Sequence, residues 1–216
     1  MTENGIKQSQ DIGNKLKKYL KKEINTVNLY SSPFTRTLMT GLNVIKELNV
    51  DNNNIYIVKN LFEISSEKNF KYFPMNTLLI NNKEKENELY QKFINNYLTN
   101  LKKCEGIKEF NKKETVLKYP EAFNEAINRY RIVSDEIFEE IANDSQNSLN
   151  IIVTHGYGVQ AITEELFKKT NNEDELLNNE MFFVDYCTSY YFEFIDEKKI
   201  KYIERIEPTS FPLSNL

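Results

Sequence analysis

The sequence predicts an α/β fold: a three-layer sandwich on a mostly parallel central sheet, lacking its first strand. Three observations lead there. Helical and strand-like segments alternate, in the order helix, strand, helix, strand, helices, strand, helix, strand, strand. Ile151, Ile152 and Val153 form an apolar run without alternation, which suits a strand covered on both faces. The chain opens with a helix, where such folds usually open with a strand. That helix reads as the crossover of a βαβ unit whose first strand is not in the sequence.

Each element has its own signal. Ile6, Ile12, Leu16, Tyr19 and Leu20 fall roughly on one face of a helix over 5–20. The lysines around them read as a solvated face rather than a membrane or basic-partner surface. A strand spans Val27–Tyr30. Ser32 is the expected N-cap and Pro33 the first position of a helix reaching about Leu48. Residues 51–54 read as a loop and Ile55–Val58 as a second strand. Residues 59–82 have no clean period. A charged helix is predicted over 84–104, a loop over 105–118, and a long helix over 121–142. A strand over Asn150–Thr154 is followed by a helix to about Lys169. Two strands, Ser189–Phe194 and Lys199–Glu204, flank the charged turn between them. One domain over 1–216 is expected, with a helical insertion at about 64–118.

Composition narrows the function. The chain has 216 residues, 40% of them hydrophobic, so it can bury a sizeable core. Its net charge of −4 argues against a nucleic-acid binder driven by phosphate attraction. No stretch approaches a membrane span. Cys104 and Cys187 are the only cysteines, and they exclude a disulfide scaffold and suggest a reducing compartment. With no visible signal peptide, a cytoplasmic location is expected. His155 is the only histidine, which excludes a His-rich metal site. No metal and no cofactor are expected. Arginine is scarce, at 36, 129, 131 and 205, so an arginine here can mark a need for the planar fork that lysine lacks.

Ligands in open α/β sheets bind beyond the carboxyl ends of the strands. Three predicted strand ends bring Arg36, Glu63 and His155 toward one edge, with Gly156 next to the histidine. These groups suit a phosphate ester. Arg36 can grip two phosphate oxygens. Helix N-termini after Ser32 and after His155 offer free N–H groups. His155 can carry charge near neutral pH, and Glu63 can pass a proton to a leaving oxygen. Each has a plainer reading: Arg36 pairs with a carboxylate, His155 is a satisfied strand-end histidine, and Glu63 is solvated. Gly156 and Gly158 make neither a dinucleotide fingerprint nor a P-loop, and Ser31 and Ser32 lie in no nucleophile elbow.

At these residues the sequence resembles the histidine phosphatase superfamily, with its phosphoglycerate mutase-like fold. Thr2-Glu3-Asn4-Gly5 with Gln8 and Gln10 is similar to the family's L-T-x-x-G-x-x-Q-A segment. Ser31-Ser32-Pro33-Phe34-Thr35-Arg36 is similar to S-S-P-x-x-R, with Met39 in place of the usual glutamine. Val153-Thr154-His155-Gly156 is similar to the V-(S/T)-H-G segment. Leu61-Phe62-Glu63 resembles the L-F-E segment of the branch related to the suppressor-of-T-cell-receptor-signalling phosphatases.

The resemblance implies a phosphatase acting through a phosphohistidine, without a metal. It implies Arg36 as a phosphate clamp, His155 as the second, charge-stabilising histidine, and Glu63 as general acid. Gly156 would add a phosphate-binding backbone N–H. The family nucleophile lies in an R-H-G segment upstream of L-T-x-x-G, and this sequence contains no R-H-G. An N-terminally incomplete chain, inactive as written, is therefore expected. The alternatives are a pseudoenzyme serving as a phosphate-binding or regulatory module, a phosphoglycerate mutase-like isomerase, and an unrelated α/β domain. The expected partner is a phosphorylated small molecule or phosphoprotein, with no nucleic acid and no membrane; a homodimer is compatible with the sequence.

Overall fold

A computed structural model describes residues 1–20, 24–64, 83–110, 112, 117, 119–144, 147–170, 187–196 and 199–209. The helices are α1 (Glu3–Leu16), α2 (Thr35–Leu48), α3 (Lys83–Leu101), α4 (Phe123–Asn143) and α5 (Gly156–Thr170). The strands are β1 (Thr26–Ser31), β2 (Asn52–Ile57), β3 (Ile107–Glu109), β4 (Ser148–Val153), β5 (Ser189–Asp196) and β6 (Lys199–Ile206). Four strands form a parallel sheet in the order β3-β2-β1-β4. Strands β5 and β6 pair antiparallel as a separate two-stranded sheet.

Strand β1 is buried along its whole length and feeds two cores. Val27 and Leu29 pack with Ile12, Val44 and Tyr90 on one side. Tyr30 packs with Tyr130, Ile137 and Ala161 on the other. The alternation of β1 side chains thus separates two apolar layers, and helices cover both. Helices α1 and α2 meet closely at Gly13, where an added Cβ would lie 2.7 Å from the Val44 carbonyl. Thr2 caps α1, its Oγ1 accepting the Gly5 N–H at 3.2 Å. That contact gives the T-x-x-G spacing of Thr2 and Gly5 a local structural role.

Three expectations need correction. Residues 52–54, read as a loop, are the first half of β2. Asparagine disfavours strands, but here it is recruited into a ladder across the sheet. Lys108 Nζ donates to Asn54, Asn54 to Asn28, Asn28 to Asn150, and Asn150 to Ser148, at 2.9–3.1 Å. Within the predicted 105–118 loop, Ile107–Glu109 forms β3; three residues are too few to show alternation, and pairing with β2 creates the strand. Ser32 and Pro33 do not start α2, which begins at Thr35 with Phe34 at the N-cap. The Ser32 side chain is engaged elsewhere. Strand β4 packs on both faces as expected, Ile151 and Val153 against one core and Ile152 against the other. Asn150, Ile151, Ile152 and Val153 are only half-buried, because β4 is the edge of the described sheet.

A cleft of about 1870 Å³ runs along the outer side of β4 and reaches β5. Its walls include Ile151, Val153, Tyr191 and Phe192. It continues past the carboxyl end of β4, where the polar candidates lie. No described helix is long and apolar enough to cross a membrane.

Candidate active site

The sheet's ladder carries the backbone directly to the site. Past the end of β1, the Ser32 N–H donates to the Val153 carbonyl of β4 at 2.9 Å. On the other side, the Val58 N–H donates to the Ser31 carbonyl at 2.8 Å. The three segments that follow β1, β2 and β4 therefore leave the sheet side by side. They bear Arg36, Glu63 and His155, all of which line the cleft with Gly156.

His155 sits where β4 gives way to α5. Its carbonyl accepts the Val159 N–H at 2.8 Å, which closes the first turn of α5. Gly158 is required there: an added Cβ would lie 2.5 Å from Thr154 Oγ1 and 2.9 Å from the Tyr130 ring. Gly156 faces open space, and a Cβ there would meet nothing within 4 Å. The His155 ring is buried, 8% exposed, and fixed from three directions. Nε2 lies 2.9 Å from Ser32 Oγ, Nδ1 lies 3.2 Å from an Arg36 Nη2, and the Phe34 ring meets it edge-on.

Those contacts assign the proton. A guanidinium only donates, so Nδ1 must accept, and the proton of the neutral ring sits on Nε2, donating to Ser32. Burial, reinforced by the nearby Arg36 and Arg129 charges, pushes the His155 pKa down to about 3. The expectation of a histidine charged near neutral pH is thereby corrected for the unliganded site. Desolvation and two cations outweigh the intrinsic basicity of the ring.

Arg36 stands on the first turn of α2. Its Nη2 is shared between Glu63 and His155, and its guanidinium lies 4.3 Å from the centre of the Phe34 ring. Its side chain remains half-exposed, at 50%. An arginine that lies over a ring and stays half-exposed is preorganised to meet an anion. Glu63, 37% exposed, accepts from Arg36. The carboxylate holds the clamp in place, so the plainer reading of Arg36 as an ion-pair partner and the phosphate-clamp reading meet at one residue.

Sequence reasoning missed two contributors. Ser32, read as a helix cap, instead holds the histidine, while its carbonyl accepts the Thr37 hydroxyl at 2.9 Å. Arg129 was noted only as one of four arginines. It is 3% exposed on α4 and bidentate to Glu121, at 2.8 and 2.7 Å. Its Nη1 donates to the carbonyls of Asn60 and Phe62, at 2.6 and 2.9 Å. Tyr130 adds a donor to Phe62 O at 2.7 Å, and Thr154 one to Leu61 O at 3.1 Å. Arg129 is a positioning residue: it locks the segment that ends in Glu63. The scarcity of arginine in a lysine-rich chain was the available signal. Among the described residues no cluster of histidine, cysteine or carboxylate groups is arranged to hold a metal.

No family model matches the sequence. No curated protein matches it either. A search by structure does find relatives in shape. The ecdysone phosphate phosphatase from Bombix mori, solved in complex with tungstate, superposes with a TM-score of 0.62 at 17% identity. The match covers 100% of this chain and 75% of that one. The α/β architecture with its mostly parallel sheet is thus the phosphoglycerate mutase-like fold of that phosphatase.

Proposed function

We propose that the cleft end formed by Arg36, His155, Glu63 and the N-terminus of α5 is the phosphate site of a histidine-phosphatase-type phosphomonoester hydrolase. The observation that carries the reading is the Arg36–His155 contact. Two segments 119 residues apart bring an open guanidinium and the chain's only histidine together at the carboxyl ends of parallel strands. The phosphatase fold and the tetrahedral oxyanion held by the silkworm enzyme point the same way.

The chemistry follows from the contacts. A phosphate entering from the cleft competes with Glu63 for Arg36, and the guanidinium offers it paired donors. The α5 N-terminus beyond Gly156 adds backbone N–H groups and the positive end of its dipole. A dianion beside His155 offsets the burial and the arginine charges that hold the ring neutral. The ring then gains a proton at Nδ1, the nitrogen that faces Arg36, and becomes a second cationic donor to the phosphate. Ser32 keeps the ring in orientation throughout. Glu63, displaced from Arg36, stands beside the phosphate and can pass a proton to the leaving oxygen.

In this reading His155 stabilises charge and does not attack phosphorus. The phosphohistidine mechanism needs a second, attacking histidine, and His155 is the one histidine of this sequence. The chain of this sequence is therefore expected to bind phosphate while turning over phosphomonoesters far below a phosphatase rate. Calorimetric titration with inorganic phosphate or tungstate tests the site. Saturable binding is expected, weakened about 10–100-fold in Arg36→Ala, the loss of a charged hydrogen-bonding group. Equal affinity in the variant would reject Arg36 as the clamp. Robust turnover of p-nitrophenyl phosphate, abolished in His155→Ala, would instead make His155 the nucleophile.

A further inference from the structure

Three side chains hold the Arg36 guanidinium, and they hold it in different ways. Glu63 and His155 share a single nitrogen, Nη2. The Nε and Nη1 donors have no hydrogen-bond partner among the described residues. The Glu63 ion pair is the contact that an entering phosphate replaces. The Phe34 ring is different: the guanidinium carbon stands 4.3 Å from its centroid. A ring takes the face of a guanidinium, whereas its hydrogen bonds leave from the edge. Contact with Phe34 and contact with an anion therefore do not compete.

Phe34 is itself firmly seated. Its carbonyl accepts the Thr37 and Leu38 N–H groups, both at 3.0 Å, and the Thr37 hydroxyl at 2.7 Å, which fixes the residue at the N-cap of α2. Its ring packs on that of Phe62, with centroids 4.5 Å apart. Phe62 is buried, and its carbonyl is the one that Arg129 and Tyr130 hold. The same Phe34 ring meets the His155 imidazole at 5.3 Å and 88°. One ring thus touches the guanidinium, the histidine and the residue before Glu63, yet it is not among the side chains that line the cleft. It stands behind the site and acts on a ligand only through its neighbours.

We propose that Phe34 is the positioning residue of the phosphate clamp: its face keeps the Arg36 guanidinium in place once the anion has displaced Glu63. The proposal rests on the phosphate-site reading and deepens it. An arginine side chain loses rotamer freedom when it grips a ligand, and the ring imposes that order before the anion arrives. The attraction is that of a positive charge for the electron-rich face of an aromatic ring. Apolar bulk alone does not supply it.

Fluorine separates the two effects, because it weakens the ring's face stepwise while leaving its size and shape almost unchanged. The full chain carrying phenylalanine, or its mono-, di- or trifluorinated form, at position 34 gives a graded series. Calorimetric titration with inorganic phosphate is expected to show affinity falling at each step, by about 3–10-fold in all, the scale of one cation–π contact. Thermal unfolding should not change along the series. Phe34→Leu should bind phosphate as weakly as the trifluorinated chain. The residual binding of Arg36→Ala should be indifferent to the same fluorination; a slope that persists there would mean that the ring acts through another group and rejects the role. Constant affinity along the series overturns the proposal and leaves the phosphate site standing. Failure of the unmodified chain to bind phosphate overturns both.

Discussion

Strands β1 and β4 lie side by side in register, and their chemistry runs opposite to their burial. β1 carries Thr26, Asn28 and Ser31 yet is buried at all six positions. β4 carries Ile151, Ile152 and Val153 yet is half-buried along most of its length. Leu29 and Ile151 are direct partners, one fully buried and one facing the cleft side. Neighbours, not hydropathy, decide the difference. β1 has a paired strand on each edge and helices on both faces. β4 is paired with β1 alone among the described strands and borders the cleft. The inner strand supplies stability, and the outer one delivers a reactive group to an open space.

The comparison can be pressed hardest at Arg129, which serves the buried side while holding a residue of the open side. Arg129→Ala strips Glu121 and two backbone carbonyls of their buried partner. It should cost about 3–5 kcal/mol in urea unfolding. A cost under about 1 kcal/mol would mean that the Glu63 segment is fixed by Tyr130 and Thr154 alone. The register pair gives the next largest effect. Leu29→Ala should cost about 3–5 kcal/mol, and Ile151→Ala roughly 1–2 kcal/mol, because part of the isoleucine surface is already wet. Equal costs would mean that β4 is as enclosed as β1.

A third test lies in pH. The unfolded His155 binds a proton below about 6.5, while the folded ring stays neutral down to about 3. Its contribution to stability is therefore complete above pH 6.5 and is lost progressively as pH falls toward 3. Each pH unit in that window removes about 1.4 kcal/mol. His155→Gln should flatten the fall between pH 6.5 and 5 by that slope, before most carboxylates titrate. Parallel curves for the two proteins would show that the folded ring titrates normally.

Much of this was legible in the sequence, for reasons that differ by element. Helices α1 and α4 announce themselves by apolar spacing, α2 by the Ser-Pro signal before it, and β4 by its apolar run. The convergence of Arg36, Glu63 and His155 followed from one topological rule: strand ends in a parallel sheet share an edge. What was hidden depended on partners distant in sequence. β2 begins at Asn52 only because Asn54 meets Asn28 across the sheet. β3 exists only beside β2. Ser32 looked like a cap because its local sequence suits one, yet His155, 123 positions away, claims the hydroxyl. The neutral state of His155 was equally illegible, since it comes from burial and from Arg129 on another helix. The expected irregular and insertion segments lie in part outside the described residues, including 65–82.

The single histidine makes the central claim unusually direct to test. Nitrogen-detected NMR of the imidazole reports His155 alone, with no assignment problem. At pH 7 without ligand, the ring should be neutral with its proton on Nε2. Adding phosphate should move both ring nitrogens saturably toward the imidazolium pattern, and Arg36→Ala should abolish that response. Ring signals that stay fixed while phosphate rises to saturating concentration would show that Arg36 and His155 do not form a phosphate site.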